Sequence, residues 1–257
     1  TPKKPFSIAL ALTDKIDTLV GFFGIDHKPT SSKDPYALRR SALGVIRILL
    51  ENNKEFKIKD LINYSSNLYQ EQGFNFSNKT LHKDLINFFI ERLKNYMREK
   101  NIRPDIIEAS INSNGINNVV KVYKKALILN KLINKEIGQT IISCYKRASN
   151  ILDHELKNQE LELSDNTDPG LFKNDFEKNL YKKIHDLRKY FTSVNKDENY
   201  ELSLSNLAES KSTLFDFFDN VMVKDADKAI QKNRLELLQM LCKTFDNYLN
   251  FSNIESS

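Results

Sequence analysis

Cysteine, glycine and proline are scarce in this 257-residue chain, and tryptophan is absent. The two cysteines, Cys144 and Cys242, form no CxxC pair, and the four histidines lie far apart with no ligand spacing around them. We therefore expect no zinc or other metal site. Free cysteines within apolar helical patterns are typical of buried side chains in a reducing compartment, so we expect a cytoplasmic location.

Long apolar runs and catalytic motifs are also missing. The apolar runs are short and interrupted by charge, so we expect no membrane-spanning segment and no secretory signal. No Walker loop, GxGxxG motif or GxSxG elbow occurs, so the sequence predicts no catalytic residue and no activity from this chain alone. The chain begins with Thr1 instead of methionine, and we expect a fragment that lacks its N-terminal part.

The residues that are present are patterned for helices. Apolar side chains recur at helical intervals, and the alternation typical of strands is absent. The sequence therefore predicts an all-α protein. A break at residues 73–78 predicts a domain boundary, with a helical bundle after it.

Positive charge is concentrated in the middle of the chain. The net charge is +5, and residues 79–160 hold 15 basic against 9 acidic groups, whereas residues 161–257 hold 13 against 17. An excess of cations favours a polyanionic partner, so the middle segment is the preferred region for one.

The segment SKDPYALRRSALGVIRILLEN, residues 32–52, combines an apolar stripe with arginines. Asp34 and Pro35 are typical of a helix start, as the cap and the first helical residue. At about 100° per residue, Arg40 and Arg47 lie together opposite the stripe. The stripe consists of Leu38, Ala42, Val45, Ile46 and Leu49. Two interpretations stay open, a solvated charged face or arginines that meet an anion.

Several stretches resemble the β subunit of bacterial heterotetrameric glycyl-tRNA synthetases, in the order of that family. The blocks LTDKIDTLVGFFGI and KPTSSKDPYALRRSALGVIRILLEN are similar to its most distinctive region. FFIERLKNYMREKNIRPDIIEA, CYKRASNIL and FFDNVMVKDADKAIQKNRLELL resemble later blocks. The resemblance extends from about residue 9 to about residue 245.

The resemblance implies a domain order. Residues 1–24 would be the last helix of an HD-type domain, 25–78 a helical linker, and 79–257 an anticodon-binding helical bundle similar to that of arginyl-tRNA synthetases. Asp14 lies where HD hydrolases place their final metal-binding aspartate, but the preceding histidines are not in this chain, so no metal site is expected.

The resemblance also implies a role. The family attaches glycine to tRNA-Gly in the cytoplasm, as an α2β2 enzyme whose α subunit uses ATP and Mg. The β subunit binds tRNA, so this chain would be a non-catalytic part of the ligase, with no cofactor of its own and no membrane partner.

The candidate tRNA-binding residues form three groups besides Arg40 and Arg47. Lys146, Arg147 and Asn150 share one polar stripe of a helix, where cations suit phosphate and an amide suits a base edge. A second cluster consists of Lys121, Lys124 and Lys125, for which a solvated face is the alternative. Arg234 lies in the C-terminal block. For Arg147, Asn150 and Arg234, a polar contact between helices is the alternative. The aromatic run at residues 214–218 is assigned to the core, with a stacking platform as the alternative.

Two other functions stay open. The chain could be a helical scaffold that holds synthetase subunits or domains together without RNA contact. It could also be the anticodon-binding part of an arginyl-type synthetase, although such a protein would lack the block at residues 9–50.

Overall fold

The structure, a computed structural model, describes residues 1–111, 116, 118–158, 162–164, 166–194, 200–248 and 251–254. Helices make up most of these residues, and the predicted all-α class is confirmed. Within the described ranges, the only strand-like pairing is an isolated antiparallel bridge between Lys57 and Asn118. The helices are α1 (Pro5–Gly24), α2 (Leu38–Glu51), α3 (Ile58–Glu71), α4 (Leu81–Glu99), α5 (Pro104–Ser110), α6 (Val119–Ile133), α7 (Glu136–Asn158), α8 (Asp175–Val194), α9 (Tyr200–Glu209), α10 (Lys211–Asn220) and α11 (Lys228–Tyr248), with 3₁₀ turns at Pro169–Leu171 and Phe251–Asn253.

Packing divides the chain into two units, Thr1–Leu127 and Ile128–Ser257, which we call unit 1 and unit 2. The division lies within α6 and not at residues 73–78, where the sequence predicts a boundary. Helix α4 packs against α1, α2 and α3, and α5 packs against α4. Both helices therefore belong to unit 1. The assignment of the chain to three domains stays a prediction.

The core of unit 1 contains the predicted stripe of α2. All five of its apolar side chains are buried, and they face α1 and α4. Full burial of a side chain of this size contributes about 1.5–3 kcal/mol, so the stripe fixes the orientation of the helix. Arg40 and Arg47 are consequently left on the exposed side.

The start of α2 differs from the sequence prediction. The helix begins at Leu38, and Pro35 lies in a turn before it instead of at the first helical position. Asp34 still caps the helix, because its carboxylate accepts the backbone N–H groups of Leu38 (2.8 Å) and Arg39 (3.0 Å). Ala37 takes a left-handed conformation (φ 53°) that lets the chain turn between the cap and the helix.

The carboxylate of Asp84 joins the end of α1 to the start of α4. It accepts hydrogen bonds from Lys28 Nζ (2.7 Å), Thr80 Oγ1 (2.8 Å) and Asn78 Nδ2 (3.1 Å). Asn78 Nδ2 also donates to the backbone carbonyl of Phe23 (3.0 Å). The hydrogen bond from Lys28 is the main cause that lowers the pKa of Asp84 from 3.8 to about 2.

Asp84→Asn should lower the free energy of unfolding of unit 1 by about 1–2 kcal/mol at pH 7. Because the folded pKa is depressed, the charged carboxylate stabilises the fold above its unfolded pKa of about 4. That contribution is lost as the pH falls through about 2. Thermal unfolding at several pH values should therefore show a Tm difference at pH 7 that shrinks towards pH 2. Asp14→Asn, at an exposed carboxylate of α1, is the control. A Tm difference between Asp84→Asn and the unmodified chain that stays the same at every pH would contradict this explanation.

Unit 2 packs α7, α8, α10 and α11 together. The sequence predicts one helix over residues 200–221, but the structure has two, α9 and α10, which meet at Ser210. The hydroxyl of Ser210 donates to the Leu207 carbonyl (2.6 Å), an example of a local side-chain bond that competes with helix continuation.

None of the helices within the described ranges is both long and apolar enough to cross a membrane.

Candidate nucleic-acid interface

Helix α7 is fixed in unit 2 by its buried side. Ile141 and Ala148 are fully buried, and the Tyr145 hydroxyl donates to both carboxylate oxygens of Asp246 on α11 (3.0 and 2.8 Å). The Tyr145 ring also stacks on Phe245. Burial raises the pKa of both Tyr145 and Asp246. These contacts leave the polar stripe of α7 on the surface.

The structure brings the predicted residues Lys146, Arg147 and Asn150 together on that surface. They line a shallow depression of about 520 Å³, which we call groove A. The other residues that line groove A are Ser143, Ile151, His154 and Glu155. The carboxylate of Glu155 accepts a hydrogen bond from the amide of Gln231 (3.0 Å), so one of its oxygens is occupied from within unit 2.

Arg147 is exposed but held in place. Its guanidinium lies over the ring of Phe218, 4.9 Å from the centroid, and its Nη2 donates to the Phe218 carbonyl (3.1 Å). The contact between helices that we considered for this residue is therefore present. One donor is used in it, and the planar cation stays at the rim of groove A.

Asn150 and Lys146 differ from Arg147 in this respect. Asn150 is exposed and Lys146 half-buried, and in the part of the chain that the structure describes neither makes a side-chain hydrogen bond or ion pair. The structure therefore gives no support to the alternative that Asn150 ties helices together. Its amide keeps both donor and acceptor capacity for a ligand.

The lysines of α6 are less available than the sequence suggests. Lys121 and Lys124 lie 3.7 and 3.8 Å from the carboxylate of Glu55, and all three lysines are half-buried. Burial lowers the pKa of Lys125. This cluster belongs to unit 1, whereas groove A belongs to unit 2.

Arg234 lies in the interior, and the alternative of a contact between helices applies to it. The residue is only 7% exposed. Nε donates to the carboxylate of Glu177, and Nη1 donates to Asp225 Oδ2 (2.8 Å) and to the Met222 carbonyl (2.9 Å). An arginine surrounded in this way has its donors used inside unit 2, so the structure favours the alternative of a contact between helices over contact with RNA.

Arg40 and Arg47 are both exposed on α2, seven residues apart along one side of the helix. Among the described residues, neither has an acidic partner or a hydrogen bond. The neighbouring Arg39 is occupied, because its Nη2 donates to the Thr30 carbonyl. The pair in unit 1 therefore stays a candidate for phosphate or for an acidic protein surface.

A second depression, of about 380 Å³, adjoins groove A and was not predicted from the sequence. We call it groove B. It shares Ser143 and Arg147 with groove A, and its other lining residues are Gln139, Thr140, Cys144, Phe215, Phe218 and Asp219. Cys144 is buried, and its burial raises the pKa of the thiol, so this cysteine packs as a core side chain.

The aromatic run at residues 214–218 divides between the core and groove B. Leu214, Phe217 and Phe218 are buried, as expected, but Phe215 is 53% exposed. Helical spacing gives the signal in retrospect, because positions 214, 217 and 218 share a side of α10 that excludes 215.

No cluster of three or more potential metal ligands occurs within the described residues.

Two family models match this chain in succession. The model described as glycyl-tRNA synthetase beta subunit matches residues 1–112, and the DALR anticodon binding domain matches residues 141–256. The glycine–tRNA ligase β subunit of Rickettsia africae (strain ESF-5) is 38% identical over 245 residues, which are 95% of this chain. The chain belongs to the glycyl-tRNA synthetase β-subunit family. The resemblance inferred from the sequence blocks is thereby confirmed.

Other relatives cover the chain to a similar extent. The glycine–tRNA ligase β subunits of Clostridioides difficile (strain 630) and Ruegeria sp. (strain TM1040) are 35% and 34% identical over 98% and 99% of it. The chain spans about a third of the length of these relatives, 34% of the Rickettsia subunit and 35% of the other two. The match of residues 1–112 to the glycyl β-subunit model favours this family over an arginyl-type synthetase.

The family matches also place the candidate residues. Grooves A and B lie on helices within the DALR match, apart from the two residues 139 and 140. Arg40 and Arg47 lie within the β-subunit match. The three lysines of α6 lie in the part of the sequence between the two matched segments, so they are outside the anticodon-binding match that contains groove A.

Proposed function

We propose that this chain is the tRNA-binding part of the β subunit of a glycine–tRNA ligase, and that groove A meets the anticodon arm of tRNA-Gly. One observation carries the proposal. The segment that matches an anticodon-binding domain holds Lys146, Arg147 and Asn150 in one exposed depression. This is the group of candidate residues that lines a surface depression inside the anticodon-binding match.

The three side chains suit different parts of an RNA. A lysine is a mobile point charge that neutralises phosphate, whereas a fixed guanidinium also donates in a plane. An amide with free donors and an acceptor reads the edge of an unstacked base. Groove A therefore supplies attraction through Lys146 and Arg147 and discrimination through Asn150.

The wider role follows from the family. We propose that the whole enzyme is cytoplasmic and that its α subunit, with ATP and Mg, catalyses the attachment of glycine. We also propose that the enzyme assembles as α2β2. This chain contributes binding and no catalytic group, so the purified chain should not support glycine-dependent pyrophosphate exchange.

A scaffold role is a second candidate, and one observation in unit 1 favours it. Phe6 and Leu10, one turn apart on α1, are 79% and 61% exposed. An exposed apolar pair suits a protein partner better than it suits RNA. The double variant Phe6→Ser/Leu10→Ser should weaken binding of the α subunit in a pull-down with purified proteins if unit 1 holds it, and should leave tRNA binding unchanged.

Titration of the chain with tRNA-Gly and with a non-cognate tRNA at two salt concentrations tests RNA binding. Affinity should fall as salt rises, and each phosphate contact should steepen the negative slope of log affinity against log salt by about 0.7–0.9. Binding that does not respond to salt, or no binding, would contradict the proposal and leave the scaffold role.

Asn150→Ala tests the reading of a base within the same assay. The exposed, unbonded amide should be removable at a stability cost within about 0.5 kcal/mol. The preference for tRNA-Gly over the non-cognate tRNA should fall by about 1–3 kcal/mol. Asn67→Ala, at an exposed amide of α3 that lines neither groove, is the control and should change neither the preference nor the Tm. A lower Tm with an intact preference would show that Asn150 is structural instead.

A further inference from the structure

A depression of about 610 Å³ lies in unit 1 between α3 and α4, and we call it the α3–α4 pocket. The side chains in it that can meet a polar or aromatic ligand are Ser66, Gln70, Phe74, Asn75, Lys79 and His82. We propose that this pocket binds an unpaired nucleotide of tRNA-Gly from outside the anticodon arm, with the base against Phe74 and the phosphate at Lys79. The inference rests on the proposed function and deepens it, because it assigns a second RNA contact to residues outside the anticodon-binding match.

The distribution of charge favours unit 1 as a surface for RNA. Unit 1 holds 21 basic against 13 acidic groups, a net charge of +8, whereas unit 2 holds 18 against 21, a net charge of −3. Much of the affinity of a protein for RNA comes from cations that displace the counterions of phosphate. Since the anticodon-binding match lies in the net-negative unit, the cations for a second part of the RNA are in unit 1.

The α3–α4 pocket itself suits an anion. No carboxylate occurs among its lining residues, whereas groove A contains Glu155. Lys79 is exposed, and among the described residues its ammonium group has no acidic partner or hydrogen bond. Such a lysine neutralises a phosphate without first giving up an ion pair.

Phe74 is the stacking surface, and its ring is supported by unit 1. The residue is 55% exposed. Gly73 takes a left-handed conformation (φ 84°) at the end of α3, and the Phe74 ring packs edge-on against Tyr69, with 5.7 Å between the centroids. The Tyr69 hydroxyl in turn donates to Asp17 Oδ2 of α1 (3.2 Å). An exposed ring held in this way gains contact when a base covers it, and every base has a face suited to this.

The loop that follows Phe74 is attached to the end of α1. Ser77 Oγ and the backbone N–H of Asn78 both donate to the Gly24 carbonyl (3.2 and 3.0 Å). The Phe76 ring lies so close to Gly24 that a Cβ atom there would come within 2.2 Å of it. The pocket is therefore formed before a ligand binds, which lowers the cost of ordering its side chains.

Gln70, Asn75 and His82 supply further polar groups. All three are exposed, and in the described part of the chain none of their side chains makes a hydrogen bond or ion pair. Amide and imidazole groups both donate and accept, so they suit ribose hydroxyls and the edge of any base. The pocket therefore predicts contact with a nucleotide without selection of its base.

Ser66 is the buried member of the lining. It is 2% exposed, and its hydroxyl has no hydrogen-bond partner among the described residues. Buried polar groups are nearly always paired, so a hydroxyl without a partner in the wall of a depression indicates a ligand or water that binds there.

The stacking test uses the full chain with tRNA-Gly. Phe74→Leu should weaken binding about 5- to 150-fold, by the same factor at low and high salt, because stacking carries no charge. Phe74→Tyr should retain the affinity. Phe56→Leu, at a ring that is 46% exposed in unit 1 and does not line the pocket, is the matched control and should have no effect.

The charge test uses Lys79→Glu, which should weaken binding of tRNA-Gly about 10- to 100-fold at low salt and less at high salt. Lys59→Glu makes the same change in net charge at an exposed lysine of α3 that does not line the pocket, and it should lose less. A benzophenone amino acid in place of Asn75 should crosslink to nucleotides outside the anticodon arm.

Unchanged affinity for tRNA-Gly in Phe74→Leu or in Lys79→Glu, or crosslinks from position 75 only to the anticodon loop, would overturn this inference and leave the proposed function intact. In that case, binding of polyglutamate that is lost in Lys79→Glu would assign the pocket to an acidic protein segment. Binding of 5′-AMP that is lost in Phe74→Leu would instead assign it to a free nucleotide. Failure of the unmodified chain to bind tRNA-Gly would overturn both proposals.

Discussion

Arg234→Ala should lower the free energy of unfolding of unit 2 by about 3–5 kcal/mol. The arginine is 7% exposed and is paired with Glu177, which is 1% exposed. Removal of one member of a buried pair leaves the other charge without compensation, and this penalty is larger than the net value of the pair. The Met222 carbonyl and Asp225 would lose their donor as well.

The second carboxylate oxygen of Glu177 increases the cost. It accepts the backbone N–H groups of Lys173 (2.5 Å) and Asn174 (3.2 Å) at the start of α8. Arg234 therefore supports a helix start as well as a contact between α8 and α11. Without it, the buried carboxylate loses its compensating charge and is expected to move, which would weaken the cap of α8.

Urea unfolding followed by circular dichroism measures the loss, and hydrogen exchange in α8 and α11 assigns it to unit 2. Arg98→Ala, at an exposed arginine of α4, is the control and should change stability by less than about 0.5 kcal/mol. If Arg234→Ala had normal stability but bound tRNA more weakly, the result would show that Arg234 contacts RNA and does not support unit 2.

Lys146→Glu should weaken binding of tRNA-Gly about 10- to 100-fold at low salt. The substitution removes one cation from groove A and places an anion where phosphate is expected, so attraction is replaced by repulsion. The slope of log affinity against log salt should become shallower by about one. The fold should be unaffected, because Lys146 makes no ion pair within the described residues.

Lys189→Glu is the matched control for this experiment. It makes the same change in net charge at an exposed lysine of α8 that lines neither groove. Equal losses for the two variants would show that only total charge matters. Unchanged affinity in Lys146→Glu would exclude groove A as the RNA surface.

Periodicity predicted the helices well, because a stripe such as Leu38 to Leu49 has few ways to be buried other than as one side of a helix. The boundary between packing units was not predictable in the same way. Residues 73–78 look like a break, but the contacts of α4 with α1, α2 and α3 cross it. Such contacts join residues far apart in sequence, and local pattern does not report them.

The site shows the same limit at the level of single side chains. Arg147 and Arg234 both lie in polar positions of family blocks, and for both the sequence left contact with RNA and a contact between helices open. What separates them is Glu177, which lies 57 residues before Arg234 and makes it an interior residue. Phe215 is the converse case, because its exposure depends on which side of α10 the neighbouring helices cover.

Site-specific photo-crosslinking is the most direct test of groove A as the site of the anticodon arm. A benzophenone amino acid in place of Ser143, which lines both grooves, would be irradiated in the full chain with bound tRNA-Gly. The same replacement at Tyr64, a 69% exposed residue of α3, is the control. The account predicts crosslinks from position 143 to nucleotides of the anticodon loop, and few from position 64. Crosslinks from position 143 only to the acceptor stem, or no more of them than from position 64, would contradict it.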